Sequence, residues 1–170
     1  KIVNGRIHLR DISEELTLTA NEIVNDIPGN YNALQAAPGI RRLFVKDNIF
    51  RRLANEDAPL AAEAALANIA GRSGLRIIEN NTIEGWKYAA WTGTATGSLA
   101  ATLVFRNNTL AGELLGSEKV DSKKFHVSGN LDLRALEPAQ FRLATEEERK
   151  ARPPASKRPV DTVIENAPTE

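Results

Sequence analysis

The chain contains no cysteine and no methionine, and neither charge is in excess. Without cysteine it can form no disulfide and no cysteine-ligated zinc site, and the redox compartment is left open. The 22 Lys and Arg residues balance the 22 Asp and Glu residues, so no net charge favours nucleic acid as a partner. No segment approaches the roughly 18 to 20 apolar residues of a transmembrane helix, so membrane insertion is not expected. The missing initiator Met and missing signal peptide predict a processed chain or a piece of a longer one.

One short phrase occurs twice, at residues 76–85 and again at residues 103–112. Each copy reads as an apolar pair, a charge, Asn-Asn-Thr, an aliphatic residue, any residue and a Gly. The composition of the phrase is typical of a β-strand followed by a turn and a second strand. A repeat with a period between 20 and 50 residues indicates a solenoid, a propeller or an array.

The Asn of this phrase recurs at one phase along the chain. The clear copies are Asn21, Asn48, Asn81 and Asn108, and looser copies surround Asn4 and Asn130. An Asn at a turn can adopt a left-handed backbone and bond to neighbouring backbone groups. Asn side chains stacked in register also hydrogen-bond to one another, so the spacing predicts a structural ladder.

The segments before each copy also align, at residues 33–39, 65–71 and 89–97. Each repeat therefore reads as a small apolar strand, a Gly-containing turn, a β-branched or aromatic strand, the Asn turn and a short third strand. Three strands per repeat predict an all-β right-handed parallel β-helix (a β-solenoid) of about five to six coils. In that arrangement Ile78 should lie over Phe105, and Ile83 over Leu110.

The Asn-Asn-Thr-Ile and Asn-Asn-Thr-Leu phrases resemble the repeats of right-handed parallel β-helix proteins over about residues 16–143. That group includes polysaccharide lyases, polygalacturonases and phage tailspikes. The resemblance implies a secreted or cell-surface protein that binds or processes an acidic polysaccharide. If the chain is an enzyme, the resemblance implies a polysaccharide lyase or a glycoside hydrolase. The residues themselves predict no cofactor, and calcium is implied by the family resemblance only.

Two segments leave the β pattern. Residues 57–70 are rich in Ala and have high helix propensity, although Leu66 to Gly71 match the neighbouring repeats in phase, so helix and strand both remain open. Residues 1–144 are expected to form the coils, and residues 145–170 a charged, Pro-rich tail with a short helix capped by Thr145 and Glu148. Residues 152–159 read as an extended linker or strap, and Val160 to Ile164 as a last strand.

The candidate binding residues fall into two groups. Charges on the second strands form a stripe across three repeats that could bind an acidic polysaccharide or could be a solvated sheet face. Trp86, Tyr88 and Trp91 form an aromatic turn that could stack on sugar rings or pack as a loop. The basic residues of the stripe are Arg41, Arg42, Lys46, Arg76 and Arg106, and Glu79 lies among them.

No catalytic or metal-binding residue can be assigned. The aligned first strands carry no acidic or basic side chain, and His8 and His126 lie far apart without a metal-ligand pattern. The alternative function is therefore a structural or adhesive β-solenoid, such as a filament subunit or a tailspike-like segment. Unpaired strand edges at the solenoid ends would need covering, so a partner chain that caps them is expected. That partner could be a second copy of the chain, which would make a homo-oligomer.

Overall fold

The computed structural model describes residues 1–9, 14–26, 32–53, 61–92, 100–116, 121–151 and 162–164. This part of the chain is all-β and its sheets are almost entirely parallel, with one 3₁₀ turn at Ser122–Lys124 and one short helix, α1 (Glu146–Ala151). In chain order the strands are β1 (Ile2–Val3), β2 (Ile7–Leu9), β3 (Glu15–Thr19), β4 (Glu22–Asn25), β5 (Leu34–Ala36), β6 (Arg42–Lys46), β7 (Ile49–Arg52), β8 (Ala61–Ala67), β9 (Leu75–Glu79), β10 (Thr82–Trp91), β11 (Thr102–Arg106), β12 (Thr109–Gly116), β13 (Phe125–Ser128), β14 (Leu131–Asp132), β15 (Glu137–Pro138), β16 (Phe141–Leu143) and β17 (Thr162–Ile164).

Strand pairing arranges these strands in three parallel stacks. Stack I contains β17, β2, β5, β8, the second half of β10, the second half of β12, and β16. Stack II contains β3, β6, β9, β11 and β13. Stack III contains β1, β4, β7, the first half of β10, the first half of β12, and β14. Successive strands visit stacks I, II and III in turn, so each circuit of the chain forms one layer, an arrangement compatible with a β-solenoid.

The predicted register is confirmed where the repeats are clearest. Phe105 pairs with Ile78 in stack II, and Leu110 pairs with Ile83 in stack III. All four side chains are fully buried between the stacks, because alternate residues of each strand point inward. The core is therefore a column in which apolar side chains of one layer rest on those of the next.

The Asn ladder is also confirmed, and it continues to Asn130. The amide of Asn48 donates to Asn81 Oδ1 at 3.0 Å, and that of Asn81 donates to Asn108 Oδ1 at 2.9 Å. The same oxygens accept the backbone N–H of the Asn in the layer below. Each rung thus satisfies polar groups that are buried at the corner between stacks II and III, and it fixes the register of neighbouring layers.

The left-handed residue of this turn is not the ladder Asn but the residue before it. Positive φ angles of 54–63° occur at the five positions that precede the rungs: Ala20, Asp47, Asn80, Asn107 and Gly129. The two Asn residues of the repeated phrase therefore have different tasks. The first adopts the left-handed conformation that Asn tolerates, and the second provides the hydrogen bonds.

The Gly that closes the repeated phrase is explained by a close backbone approach. Gly85 has a φ of 89°, and a Cβ atom there would lie 2.0 Å from the carbonyl oxygen of Arg52 in the layer below. Only Gly fits both the conformation and the contact, and it lies where β10 turns from stack III into stack I.

Part of the Ala-rich segment is strand and not helix. Residues 61–67 form β8, in which Leu66 pairs with Leu34 on one side and with Ala90 on the other. Pairing on both sides outweighs the helix propensity of Ala, because the preference for a strand depends on the neighbouring strands. Residues 54–60 lie outside the described part of the chain.

The tail includes the capped helix and the last strand expected from the sequence. Glu148 N–H donates to Thr145 Oγ1 at 3.2 Å, and Thr145 N–H donates to Glu148 Oε2 at 2.9 Å, which is a capping box at α1. Strand β17 pairs with β2, the lowest other strand of stack I. The linker predicted at residues 152–159 lies outside the described residues.

We expect the substitution Asn81→Ala to lower the free energy of unfolding by about 3 kcal/mol, because it leaves several buried donors and acceptors without partners. The matched control is Asn21→Ala at the bottom of the ladder, where the side chain donates hydrogen bonds but accepts none in the described structure. That change should cost about 1 kcal/mol. Urea denaturation of both variants measures the difference, and equal losses would contradict a cooperative ladder.

Candidate functional site

The basic stripe lies on the outer face of stack II, but each exposed member is paired with a carboxylate. Arg41 lies 3.6 Å from Glu14, and Arg42 lies 3.4 Å from Glu15, in both cases between adjacent layers. Since these side chains are more than half exposed, the pairs contribute little stability. They nevertheless remove most of the positive potential that an acidic ligand would need.

Both cations in the upper half of the stripe are paired with a single buried carboxylate. Glu79 Oε1 lies 2.7 Å from Lys46 Nζ, and Glu79 Oε2 lies 2.6 Å from the guanidinium of Arg106. The hydrogen bonds from Lys46 and then Arg106 hold the pKa of Glu79 below its usual range, against the opposing effect of burial. Glu79 therefore stays ionised at neutral pH and draws both cations toward the sheet.

Arg76 is not part of the stripe, and its prediction as a surface binding residue is wrong. The side chain is fully buried, and in stack II it occupies the inward register between Leu43 and Leu103. Its Nη2 donates to the carbonyl oxygens of residues 37, 38 and 40 at 2.8–3.3 Å. Burial lowers the pKa of Arg76 to about 10.

Space for the buried guanidinium comes from a glycine. A Cβ atom on Gly71 would lie 2.5 Å from Arg76 Nη2, so a larger residue would collide with it. Arg76 Nε and Nη1 have no hydrogen-bond partner within the described structure. Within the described residues no carboxylate pairs with Arg76, and its charge is instead bonded to the carbonyls of the turn between stacks I and II.

The aromatic turn is buried too, so it forms no exposed platform for sugars. Trp86, Tyr88 and Trp91 are 1%, 6% and 2% exposed. Trp86 packs in the central core, whereas Tyr88 and Trp91 meet edge to face, with 5.6 Å between ring centroids. The last two form a second apolar cluster with Ala64, Leu115 and Ala144.

This second cluster anchors the tail to stack I. The Tyr88 hydroxyl donates to Glu148 Oε1 of α1 at 3.2 Å. Arg142 of β16 donates to Glu148 Oε1 at 2.7 Å, and its Nε donates to Glu113 Oε2 at 2.8 Å. Of the three aromatic residues expected to form a binding platform, Trp86 fills the central core, whereas Tyr88 and Trp91 pack at the start of the tail, where Tyr88 holds α1 by a hydrogen bond.

A cavity of about 340 Å³ at the upper end was not predicted from the sequence. Its charged lining residues are Glu113, Asp132, Arg134, Glu137 and Arg142, and Phe141 adds an aromatic ring. The residues come from four separate strands and a turn, and only the strand pairing brings them together. No spacing rule along the chain could have grouped them.

The chemistry of this cavity is restricted by its own ion pairs. Arg134 binds both oxygens of Asp132, at 2.9 and 2.6 Å, and these hydrogen bonds lower the pKa of Asp132. The hydrogen bond from Arg142 likewise lowers the pKa of Glu148 beside the cavity. A general acid needs a raised pKa, so neither carboxyl is suited to protonate a glycosidic oxygen.

The described ranges contain neither a metal-binding cluster nor a membrane-spanning helix. No group of three or more His, Asp or Glu residues is arranged to hold a metal ion there. Among the same residues, no helix is long and apolar enough to cross a membrane.

Comparison of the chain with protein-family models, with curated proteins and with solved structures finds no match.

We expect Arg76→Ala to lower the free energy of unfolding by about 2–3 kcal/mol, since it creates a cavity and leaves the carbonyl oxygens of residues 37, 38 and 40 without this donor. The variant no longer buries a charged guanidinium, and this gain offsets part of the lost stability. The exposed control Arg42→Ala should change stability by about 0.5 kcal/mol or less. Equal stabilities of the two variants in urea titrations would refute the interior role of Arg76.

Acid titration tests whether the ionised carboxylate of Glu79 stabilises the fold. A carboxyl with a depressed folded pKa stabilises the fold above its unfolded value of 4.5, and that contribution is lost as the pH falls through the folded pKa. Glu79→Gln should therefore be less stable than the parent at pH 7, by about 1 kcal/mol, and lose less stability below pH 4.5. Thermal melting from pH 7 to pH 3 measures this, with Glu14→Gln as the exposed control. Parallel curves for Glu79→Gln and the parent would contradict the assignment.

Proposed function

We propose that the chain is a right-handed parallel β-helix that serves as a structural or adhesive solenoid, and not as a binding site for acidic polysaccharide. The right hand follows from the strong preference of parallel crossover connections for that hand. A secreted or cell-surface location, with another protein chain as partner, belongs to the same proposal because it follows from the family resemblance.

The observation that carries this proposal is the loss of both candidate sugar-binding features. Glu14, Glu15 and Glu79 form ion pairs with all the exposed cations of the stripe. The aromatic residues are buried, and a buried ring cannot stack on a saccharide. The accessible surface of stack II is a sheet face whose cations are already held in ion pairs, as expected for a scaffold.

A second candidate function is binding, or lyase or hydrolase processing, of an acidic polysaccharide at the upper cavity. The observation that favours it is the presence of Phe141 beside the guanidinium groups of Arg134 and Arg142. Both guanidinium groups are already bonded to carboxylates, so the ligand would have to displace internal ion pairs. This cost makes the cavity the weaker candidate. A calcium requirement would belong to this candidate alone, since it comes from the polysaccharide-lyase resemblance.

Titration with alginate and pectin fragments distinguishes the two functions. For the parent protein we expect no heat of binding, no change in melting temperature and no unsaturated uronate product, with or without calcium. The double variant Glu14→Gln/Glu15→Gln frees Arg41 and Arg42 and is expected to gain weak, salt-sensitive binding. It serves as the positive control for detection. Saturable binding by the parent protein would overturn the scaffold proposal.

A further inference from the structure

The upper end of stack II is a notch that is one strand deep. Strand β13 pairs with β11 on one side, and within the described structure no strand pairs with its other edge. The neighbouring stacks continue for one more layer there, with β16 above β12 in stack I and β15 beside β14 in stack III. The edge of β13 is therefore recessed between two strands.

At the floor of the notch, the inward side chains of β13 are incompletely buried. Phe125 and Val127 point inward and pack against the core, but both are only partly buried. Phe141 covers one side of Phe125 edge to face, at 4.2 Å between ring centroids. A further strand with apolar residues at alternate positions would complete the burial of both side chains.

The charges beside the notch indicate what that strand carries. Elsewhere on the outer face, charged residues of adjacent layers are opposite in sign, as in Glu15 with Arg42, Lys46 with Glu79, and Glu79 with Arg106. At the notch, Lys123 and Lys124 are exposed and form no ion pair within the described structure. Lys124 Nζ donates to the carbonyl oxygen of Ala100. The missing strand should therefore be acidic at its start.

The register identifies the positions of these acidic residues. Thr102 pairs with Leu75 and Leu75 with Arg42, while Leu103 pairs with Phe125. Lys124 thus occupies the position that Arg42 has three layers below, where Arg42 meets Glu15. The segment that starts at Glu14 and Glu15 and continues through Leu16 and Leu18 has the pattern that the notch requires.

An intact second copy does not fit this edge in register. Stacking the β3 of a second copy on β13 would place its β1 and β17 in the layer that β14 and β12 of the first copy already occupy. The occupant must therefore be a single extended segment that is not flanked by other strands of its own sheet.

We propose that the β13 edge is a docking site for an extended segment of a partner protein, with two adjacent acidic residues facing Lys123 and Lys124 and apolar residues at alternate positions after them. The segment adds a sixth strand to stack II by β-augmentation: its main chain provides affinity and its acidic residues select the register. This inference rests on the proposed scaffold function, for which it specifies a partner.

The test uses the full chain and a labelled peptide with the sequence of residues 14–20, Glu-Glu-Leu-Thr-Leu-Thr-Ala, measured by fluorescence polarisation. We expect saturable binding that weakens with salt. The variant Lys123→Glu/Lys124→Glu should bind this peptide about tenfold more weakly, in line with two lost surface ion pairs and added repulsion. Because both lysines are exposed, its melting temperature should match that of the parent. The same variant should prefer a peptide that begins with Lys-Lys.

Backbone pairing is tested separately from charge. Two peptides with N-methyl groups on alternate residues block the amide donors on one edge or on the other, so one should bind and the other should not. Absence of binding, or equal binding by the charge-reversed variant, would overturn the proposal; equal binding would mean that the peptide competes with β3 for β6. The polysaccharide titration is independent, so failure of the docking site and failure of the scaffold function give different results.

Discussion

Registration between layers is the constraint on which the rest of the structure depends. Parallel strands exchange main-chain hydrogen bonds with the layers above and below, and a shift by one residue would turn every inward side chain outward. The Asn rungs prevent that shift because their oxygens accept bonds from one layer while their amides reach carbonyls of others. Once the register is fixed, the apolar columns, the outer ion pairs and the Gly positions follow from the repeat.

Much of the fold could be predicted from the sequence because each layer repeats the same local chemistry. The twin phrase indicated the stacked strands, and the common phase of Asn48, Asn81 and Asn108 indicated the ladder. The strand in residues 61–67 was ambiguous, since a run of Ala satisfies helix propensity and a crowded sheet equally well. Pairing with β5 and β10 decides it, and single-chain propensity contains no information about such partners.

The candidate site was predictable to a smaller degree. Arg76 was assigned to the surface from its charge, although alignment of the repeats puts it at the inward position of Leu43 and Leu103. The alternation of the strand was therefore the better indicator. The carboxylates that pair with the stripe were visible as residue types, but their distances from the cations depend on which layers are adjacent. The upper cavity could not be predicted, because its lining converges only after the hairpin of β14 and β15 forms.

The pairing of β17 with β2 has a consequence for the order of folding. Residues 162–164 meet residues 7–9, whereas most strand pairs join neighbouring layers about 27 residues apart. Closing the longer loop costs about 1.5 kcal/mol more chain entropy than closing one layer. Strand β17 should therefore be the last strand to form and the first to detach. During synthesis, the lower edge of β2 stays without this partner until residues 162–164 have left the ribosome. Between the formation of β2 and the docking of β17, the lower edge of stack I is most open to pairing with a strand from another chain.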